Sequence, residues 1–358
     1  MELSIWRKWL NRNVLSGAYK VFVLISGMAL GILWLPLPLI LAMLFMMLAG
    51  LIFLVIKGMA LFWKTWRVPE FKRVALHVCA VGMIFFAAPI FYLCYKSYFN
   101  NLELPLVTLS NGEKTVIFQG MIHIGPSEFY TEIINNLDKA SGQGYTLFFE
   151  GVESTPAREQ WMKRTILRNQ DIHSAYVSLA DLLGLHVQKS YFTKYKELAS
   201  RNSSRFVYAD VSTQDIFKEY LRLWRESPEF RAEMKVSESK RYPSHLHSFN
   251  RITEWQNRGG PARHFLSRRM FLGLYVIALS NTDVENLVMI KIGSSATNKL
   301  IFEFRDENLV KRIIEDPSDK IYITYGSAHL PGVVAKLRNS DPKWIVQKRE
   351  VTKIVLPN

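Results

Sequence analysis

The run from Val21 to Ile56 contains no charged residue and constrains the fold more than any other feature of the sequence. It is 36 residues long, whereas about 20 residues suffice to cross the hydrocarbon core of a bilayer. Pro36 and Pro38 lie near its middle, and proline removes a helix donor and clashes with the preceding turn. The run therefore predicts a helical hairpin that crosses the membrane twice, over residues 14–35 and 38–56. A single kinked helix is the alternative.

A third apolar stretch, residues 74–95, follows a basic loop over residues 57–73. The N-terminal arm and this loop both carry mostly positive charge, through Arg7, Lys8, Arg12, Lys20, Lys57, Lys64, Arg67, Lys72 and Arg73. Basic segments beside membrane spans stay in the cytoplasm, so an even number of spans separates these two. We therefore predict a multi-pass inner-membrane anchor over residues 1–96, in contact with the lipid bilayer, that exports the rest of the chain to the periplasm. The single kinked helix would reverse this orientation.

Most of the basic charge belongs to this anchor. The net charge of the chain is +14, and the first hundred residues hold +8 of it, from 10 Lys and Arg against 2 Asp and Glu. The remainder mixes both signs without a localised basic stripe. The sequence therefore predicts no nucleic-acid partner.

Both cysteines, Cys79 and Cys94, lie in the third apolar stretch. On a helix they would be about 22 Å apart, which is too far for a disulfide. The chain beyond residue 96 has no thiol, which excludes a thiolate metal site and a cysteine nucleophile there.

After residue 96 the pattern is that of an α/β domain. We predict a polar linker over residues 97–113 and a soluble domain over residues 114–358, with a helical insertion at about residues 156–285. Short β-branched and aromatic runs predict strands at Thr115–Phe118, Tyr145–Phe149, Arg205–Ala209, Asn298–Phe304, Ile321–Tyr325 and Trp344–Val355. Strands that alternate with helices predict a mainly parallel sheet.

One motif occurs twice in this domain: a predicted strand, then Gly-x-x-His, then a predicted helix. The first copy has Gly120 and His123, and the second has Gly326 and His329, about two hundred residues later. Each histidine follows a strand and precedes a helix. Such histidines are presented by a loop, and the matching context indicates that the two copies share a role. We therefore expect the two copies to be neighbours in the fold although they are far apart in sequence.

Four predicted strands end in a polar residue: His123, Glu150, Asp210 and His329. If the strands are parallel, these side chains meet at one edge of the sheet. Two imidazoles and a carboxylate commonly hold a catalytic divalent metal ion and leave a position open for water. We predict His123, His329 and Glu150 as metal ligands, with zinc, manganese, cobalt or iron all suitable, and Glu150, Asp210 and Arg305 as catalytic residues.

Ordinary structural roles are the alternatives for these residues. Glu153 could take the place of Glu150 at the strand end. Asp210 could cap the following helix. Arg305 and Asp306 could simply be a pair of charged residues at the start of a helix.

In order and spacing, these motifs resemble the TraB/PrgY/GumN family, which is related to the Tiki proteins and more distantly to erythromycin-esterase-like and ChaN-like domains. The similar segments run from about Lys114 to the C-terminus: GMIH at Gly120–His123, Glu150 in FFEG, the step Ala209-Asp210, FRDENLVKRI at Phe304–Ile313, and YGSAHLPGV at Tyr325–Val333. The resemblance implies a metal-dependent protease or hydrolase with His123, Glu150 and His329 at the metal and Arg305 in support. Val211 and Glu307 depart from the arginines that the family often has near these motifs.

The sequence as a whole predicts a membrane-anchored, metal-dependent hydrolase that acts on a peptide or protein outside the cytoplasm. The alternative is a protein of the same fold that binds and sequesters a peptide or small ligand without turnover, as an inhibitor of signalling.

Overall fold

The computed structural model describes residues 24–26, 28–30, 32, 47–57, 71–167, 171–201, 203–239, 245–280 and 295–357. The chain divides into two compact units. The first unit comprises Met1–Ser97 and Glu254–Leu274, and the second comprises Tyr98–Thr253 and Tyr275–Asn358.

Helices make up most of the described structure. In chain order they are α1 (Met47–Lys57), α2 (Phe71–Phe99), α3 (Ser127–Gly142), α4 (Pro156–Thr165), α5 (Ile172–Leu183), α6 (Lys189–Arg201), α7 (Thr213–Glu226), α8 (Pro228–Ser239), α9 (His245–Arg258), α10 (Gly260–Ser280), α11 (Ser295–Asn298), α12 (Phe304–Glu315) and α13 (Leu330–Ser340). A π-helical turn, Lys299–Glu303, joins α11 to α12, and a 3₁₀ turn, Ser327–His329, leads into α13.

The strands lie in the second unit. They are β1 (Leu102–Ser110), β2 (Thr115–Met121), β3 (Ile124–Gly125), β4 (Thr146–Phe149), β5 (His186–Val187), β6 (Phe206–Tyr208), β7 (Lys320–Gly326) and β8 (Ile345–Ile354). Six of them form one sheet in the order β6-β4-β7-β2-β1-β8, and β3 pairs with β5 separately.

The described residues contain one helix that is long and apolar enough to cross a membrane. It is the 23-residue stretch His77–Phe99 of α2, which includes most of the predicted third span. Of the predicted second span, residues 38–56, only the part within α1 is described, and it is helical. The predicted first span, residues 14–35, lies largely outside the described residues.

The predicted α/β class with a mainly parallel sheet is confirmed for the second unit. Strands β6, β4, β7 and β2 run parallel to one another, whereas β1 is antiparallel to both β2 and β8. Residues of β4 and β7 are buried almost without interruption, as expected for strands that are covered on both faces. The apolar core around them includes Phe118, Phe148, Ile323, Leu309 and Val333.

The first and last motif copies are neighbours in this sheet. Strand β2 pairs with β7 in parallel register from Thr115↔Lys320 to Met121↔Gly326. The two strands are distant in sequence, yet each follows the pattern of a short, fully buried run. The prediction that the two motif copies are neighbours in the fold is confirmed.

The predicted linker at residues 97–113 is instead the end of α2 followed by β1. Four apolar residues of β1 are buried: Leu102, Leu104, Val107 and Leu109. Their burial favours a strand, although the polar residues beside them predicted a linker. Pro105 lacks a backbone N–H donor, and β1 tolerates it at this position because the pairing with β2 begins only at the next residue, Leu106.

The predicted strand at Asn298–Phe304 is also wrong, because this segment is helical. Its short apolar run fits either structure by periodicity alone. Leu300 is fully buried in a cluster with Ile166, Phe230 and Met234, and this packing selects the helix. The backbone therefore continues without a break into α12.

The described residues of the predicted insertion at residues 156–285 are mainly helical, apart from the short strands β5 and β6 and the connecting turns. We predicted that all of it belongs to the soluble domain. Residues Glu254–Leu274, however, pack within the first unit together with α2.

Candidate functional site

Parallel pairing places four strand ends at the same edge of the sheet. Strand β7 pairs in parallel with β2 on one side and with β4 on the other, and β4 pairs in parallel with β6. His123, Glu150, Asp210 and His329 follow the carboxyl ends of these strands. The expected shared edge is therefore present.

A buried arginine joins two of the predicted carboxylates. The Arg305 guanidinium donates two hydrogen bonds to Asp210, from Nε to Oδ1 at 2.9 Å and from Nη2 to Oδ2 at 2.6 Å. The same Nη2 also donates to Glu150 Oε1 at 2.5 Å. Arg305 and Asp210 are almost fully buried, and such bidentate, charge-assisted contacts fix the geometry firmly. Burial opposes the charge of Arg305, but the neighbouring Glu150, Tyr325 and Asp210 raise its pKa well above the ordinary value.

Glu150 is held at both carboxylate oxygens. Oε1 accepts from Arg305, and Oε2 accepts from the backbone N–H of Gly326 at 2.7 Å. Burial opposes ionisation of this carboxyl group. The charge of Arg305, with further contributions from His329 and His123, outweighs that effect and lowers the pKa of Glu150 to about 2. Glu150 is therefore an anion throughout the physiological range.

Asp210 is part of the same network and does not cap a helix. Its Oδ1 also accepts from the Tyr325 hydroxyl at 2.9 Å and from the Val211 N–H at 2.8 Å. The cap of α7 is Ser212, which forms a capping box with Asp215. The alternative role for Asp210 is therefore taken by its neighbours.

Glu153, the alternative to Glu150, lies elsewhere. The residue is exposed, and its backbone carbonyl accepts from the Thr213 N–H. Glu150 is the carboxylate that the structure places in the cluster with Arg305.

His329 is paired with a carboxylate that the sequence analysis did not assign to the site. Its Nδ1 lies 2.6 Å from Asp306 Oδ1, and both side chains are buried. Because a carboxylate accepts, Nδ1 carries the proton and donates it, so whenever the ring is neutral its lone pair is on Nε2. The rings of Phe302 and Tyr325 pack on the imidazole with centroids at 4.9 and 4.8 Å. His329 is thus fixed in both position and tautomer.

His123 is held by residues of the helical insertion. Gln188 Nε2 lies 3.0 Å from His123 Nδ1, and the Gln188 N–H donates to the His123 carbonyl at 3.1 Å. The Tyr176 ring stacks on the imidazole at 4.9 Å. An amide nitrogen only donates, so Nδ1 of His123 accepts and its ring proton lies on Nε2. The two histidines therefore present opposite groups, a lone pair at His329 Nε2 and a donor at His123 Nε2.

Desolvation favours the neutral form of His123. The residue reaches solvent, but the surrounding protein desolvates its imidazole and lowers its pKa below the ordinary value. Glu150 opposes this effect, whereas Arg305 and His329 add to it. A neutral ring preserves the donor at Nε2 near neutral pH.

The glycines of the two motif copies serve different purposes. A Cβ on Gly326 would lie 3.2 Å from Glu150 Oε2 and 3.4 Å from His329 Cδ2, so this glycine makes room for the site. A Cβ on Gly120 would lie 2.9 Å from two ring carbons of Pro105 in β1. The first glycine therefore serves the packing of the sheet. The trailing Gly332 also serves the site, because its Cβ would lie 1.9 Å from Asp306 Oδ2.

The donor set does not fit the predicted metal centre as it is arranged. His329 offers Nε2 and has the carboxylate partner that is typical of ligating histidines. His123 presents a proton at Nε2, and both oxygens of Glu150 already accept hydrogen bonds. Among the described residues, no three His, Cys, Asp or Glu side chains are arranged to hold one ion. The metal ion stays a prediction.

Sequence reasoning missed four contributors: Asp306, Tyr325, Gln188 and Tyr176. Asp306 directly follows Arg305 and, being acidic in the first turn of a helix, could have been suspected. Tyr325 was assigned only to its strand, since alternation does not reveal a hydrogen bond to Asp210. Gln188 and Tyr176 reach His123 through the insertion, beside the two-residue pairing of β3 with β5, which has no sequence signal.

The fold and the site define a class: an α/β protein whose polar cluster of two histidines, three carboxylates and an arginine lies at the carboxyl edge of a mainly parallel sheet. Comparisons of the chain with protein-family models, curated proteins and solved structures gave no significant match.

Proposed function

We propose that this chain is a membrane-anchored hydrolase that acts on a peptide or protein outside the cytoplasm. The observation that carries the proposal is the buried Asp306–His329 pair, which holds one imidazole nitrogen and leaves the other able to take a proton. A histidine oriented in this way by a carboxylate is a general base. The similarity of the two Gly-x-x-His segments to the TraB/PrgY/GumN family supports hydrolysis of a peptide substrate.

The proposed reaction uses water as the nucleophile. His329 Nε2 takes a proton from water as the water oxygen attacks the carbonyl carbon of the scissile amide. The resulting imidazolium gives this proton to the departing amine nitrogen as the carbon–nitrogen bond breaks. Asp306 stabilises the imidazolium, and the anionic Glu150 interacts favourably with the same charge.

His123 is proposed to stabilise the oxyanion. Its Nε2–H is a neutral donor in the tautomer that Gln188 selects, and such donors stabilise charge that develops on the carbonyl oxygen. Arg305 is a positioning residue, because its contacts with Asp210 and Glu150 occupy the guanidinium.

The anchor and its orientation are part of this proposal. The apolar stretch of α2 supports one crossing. The uncharged run of residues 21–56, long enough for two spans, and the cytoplasmic bias of basic segments support a multi-pass inner-membrane protein with a periplasmic site.

A metal-dependent form of the same hydrolase is the second candidate, and the Asp306–His329 pair favours it, since ligating histidines commonly have such a partner. It would require the Gln188 amide to turn, so that its oxygen accepts from Nδ1 of His123. It would also require Glu150 to offer a lone pair beyond those used by Arg305 and Gly326.

The test uses the full chain in lipid nanodiscs, incubated with a digest of unstructured peptides in the presence of a chelator. New peptide termini are measured by mass spectrometry. We expect cleavage by the wild type, loss of about 100-fold or more in His329→Gln, and wild-type cleavage in the control Glu153→Gln. Cleavage that requires added divalent metal would select the metal-dependent form. No cleavage under either condition, with peptides retained on the protein, would replace the proposal with the sequestering protein.

A further inference from the structure

The helix α10 packs against α2 within the first unit. Met270 of α10 lies in a buried cluster with Leu30, Ala87 and Ile90, and Leu266 and Phe271 pack beside it. These partners belong to the part of the chain that we propose to cross the membrane.

The two helices approach most closely at Gly273. A Cβ at this position would lie 2.0 Å from the Leu93 carbonyl oxygen and 2.6 Å from the carbonyl carbon. Only a glycine permits this contact between backbones. Small residues at helix crossings are characteristic of helices that pack inside membranes.

The depth of the contact follows from its position along α2. The apolar stretch His77–Phe99 has its midpoint at Ala88. Ile90 is about 3 Å and Leu93 about 7.5 Å beyond this midpoint along the helix axis. Half of the hydrocarbon core is about 15 Å thick. If α2 crosses the bilayer, the residues of α10 that touch Ile90 and Leu93 lie within the hydrocarbon layer.

The outer side of α10 is apolar. Phe265 is 54% exposed and Leu274 is 46% exposed. Two polar side chains of the same helix, Arg263 and Ser267, form hydrogen bonds within the protein. Arg263 Nε donates to the Ile32 carbonyl at 2.9 Å, and Ser267 Oγ donates to the Arg263 carbonyl at 2.6 Å. Exposed apolar side chains, beside polar side chains that bond within the protein as Arg263 and Ser267 do, are compatible with a lipid environment.

We propose that residues Gly260–Leu274 of α10 are embedded in the membrane beside α2, with Phe265 and Leu274 in contact with lipid acyl chains. The proposal rests on the membrane crossing of α2 under the proposed function. It adds a second element, distant in sequence from residues 1–96, to the membrane anchor. Because Met270–Asn281 is an uncharged run of only 12 residues, this helix enters the hydrocarbon layer without crossing it.

Spin labels at single cysteines test the proposal in the full chain. Cys79 and Cys94 are first replaced by serine, and Phe265→Cys, Leu274→Cys, Phe85→Cys and Leu221→Cys are then made separately in that background. Phe85 is 73% exposed on α2 and reports on the crossing itself, whereas Leu221 is 40% exposed on α7 of the second unit. Collisions of each label with oxygen, which enters lipid, and with a polar nickel chelate, which stays in water, are measured in nanodiscs.

We expect labels at 265 and 274 to behave like the label at 85, with strong oxygen and weak nickel collisions, and the label at 221 to show the reverse. Labels at 265 and 274 that follow 221 while 85 lies in lipid would overturn the inference alone. A label at 85 in water would overturn the membrane crossing of α2 and this inference with it.

The close contact at Gly273 provides a second measurement. Gly273→Leu should raise nickel collisions at position 265 several-fold, because the added side chain pushes α10 away from α2. Gly50→Leu in α1 is the matched control, since a Cβ at Gly50 meets nothing within 4 Å. Unchanged collisions in Gly273→Leu would show that packing on α2 does not hold α10 in the bilayer and would overturn the inference.

Discussion

Asp306 Oδ1 lies 2.6 Å from His329 Nδ1, across a separation of 23 residues in the chain. The carboxylate comes from the first turn of α12 and the imidazole from the 3₁₀ turn after β7. Because Phe302 and Tyr325 also pack on the ring, the orientation of His329 is determined from several directions. The chemistry that we propose for His329 Nε2 depends on this pair.

Asp306→Asn should lower kcat by about 100-fold or more with a smaller effect on KM, because an amide carries no charge to stabilise the imidazolium. The measurement is peptide turnover in nanodiscs across the pH range. Glu307→Gln is the control, since Glu307 is the next residue on α12 and pairs with Lys336 near the surface. Equal turnover in the two variants would remove Asp306 from the mechanism.

Gly332→Ala should displace Asp306, because the new Cβ would lie 1.9 Å from Oδ2. We expect a loss of about 1–3 kcal/mol in stability together with loss of turnover. Gly142→Ala in α3 is the control, as its Cβ meets nothing within 4 Å. Thermal unfolding followed by tryptophan fluorescence measures the stability of both variants. An unfolding temperature of Gly332→Ala equal to that of the wild type would contradict the expected displacement.

Sequence reasoning predicted the part of the site that follows from strand ends. Strands that alternate with helices are parallel, so Glu150, Asp210 and the two histidines were expected at one edge of the sheet, and β2, β4, β6 and β7 run as required. The repeated motif likewise predicted that β2 and β7 lie close together.

The remaining features depend on packing between distant segments. Gln188 reaches His123 from the insertion, next to the short β3–β5 pair. The helical form of Lys299–Glu303 depends on the burial of Leu300 against three other elements. Local propensity is weak for such short segments, and tertiary contacts decide their structure.

The stability that Glu150 contributes to the folded protein should be lost in acid. Its pKa is about 2 in the folded protein and 4.5 ordinarily, so the folded state binds the proton more weakly than the unfolded state does. The stability that Glu150 contributes is present above pH 4.5 and is lost as the pH falls toward 2. The difference between the two pKa values corresponds to about 3 kcal/mol.

The comparison of wild type with Glu150→Gln isolates this contribution from that of other carboxyl groups. We expect the difference between their unfolding temperatures to be largest near pH 7 and to shrink steadily below pH 4.5. A difference that stays constant from pH 7 to pH 2.5 would contradict the lowered pKa of Glu150.

Gln188→Glu should reverse the tautomer of His123. A carboxylate accepts from Nδ1–H, which moves the ring proton from Nε2 to Nδ1 and frees Nε2 as a ligand. We therefore expect the variant to bind zinc more tightly than the wild type and to lose turnover in chelator. Gln188→Leu is the control, because it removes the partner without providing an acceptor. Zinc binding is measured by calorimetry, and tight binding by the wild type with no gain in Gln188→Glu would favour the metal-dependent form.

Topology reporters decide which substrates the site can reach. The basic arm and the basic loop over residues 57–73 flank an uncharged run of 36 residues, and both are expected to stay in the cytoplasm. A reporter that is active only outside the cytoplasm should therefore give a signal when fused after Asn101 or at the C-terminus. The same reporter fused after Lys64 should be silent, and a reporter active only in the cytoplasm should show the opposite pattern. Cytoplasmic activity at Asn101 would replace the hairpin with a single kinked helix and bring the site into the cytoplasm. Extracytoplasmic peptides would then cease to be candidate substrates, whereas the roles proposed for His123, Asp306 and His329 would stand.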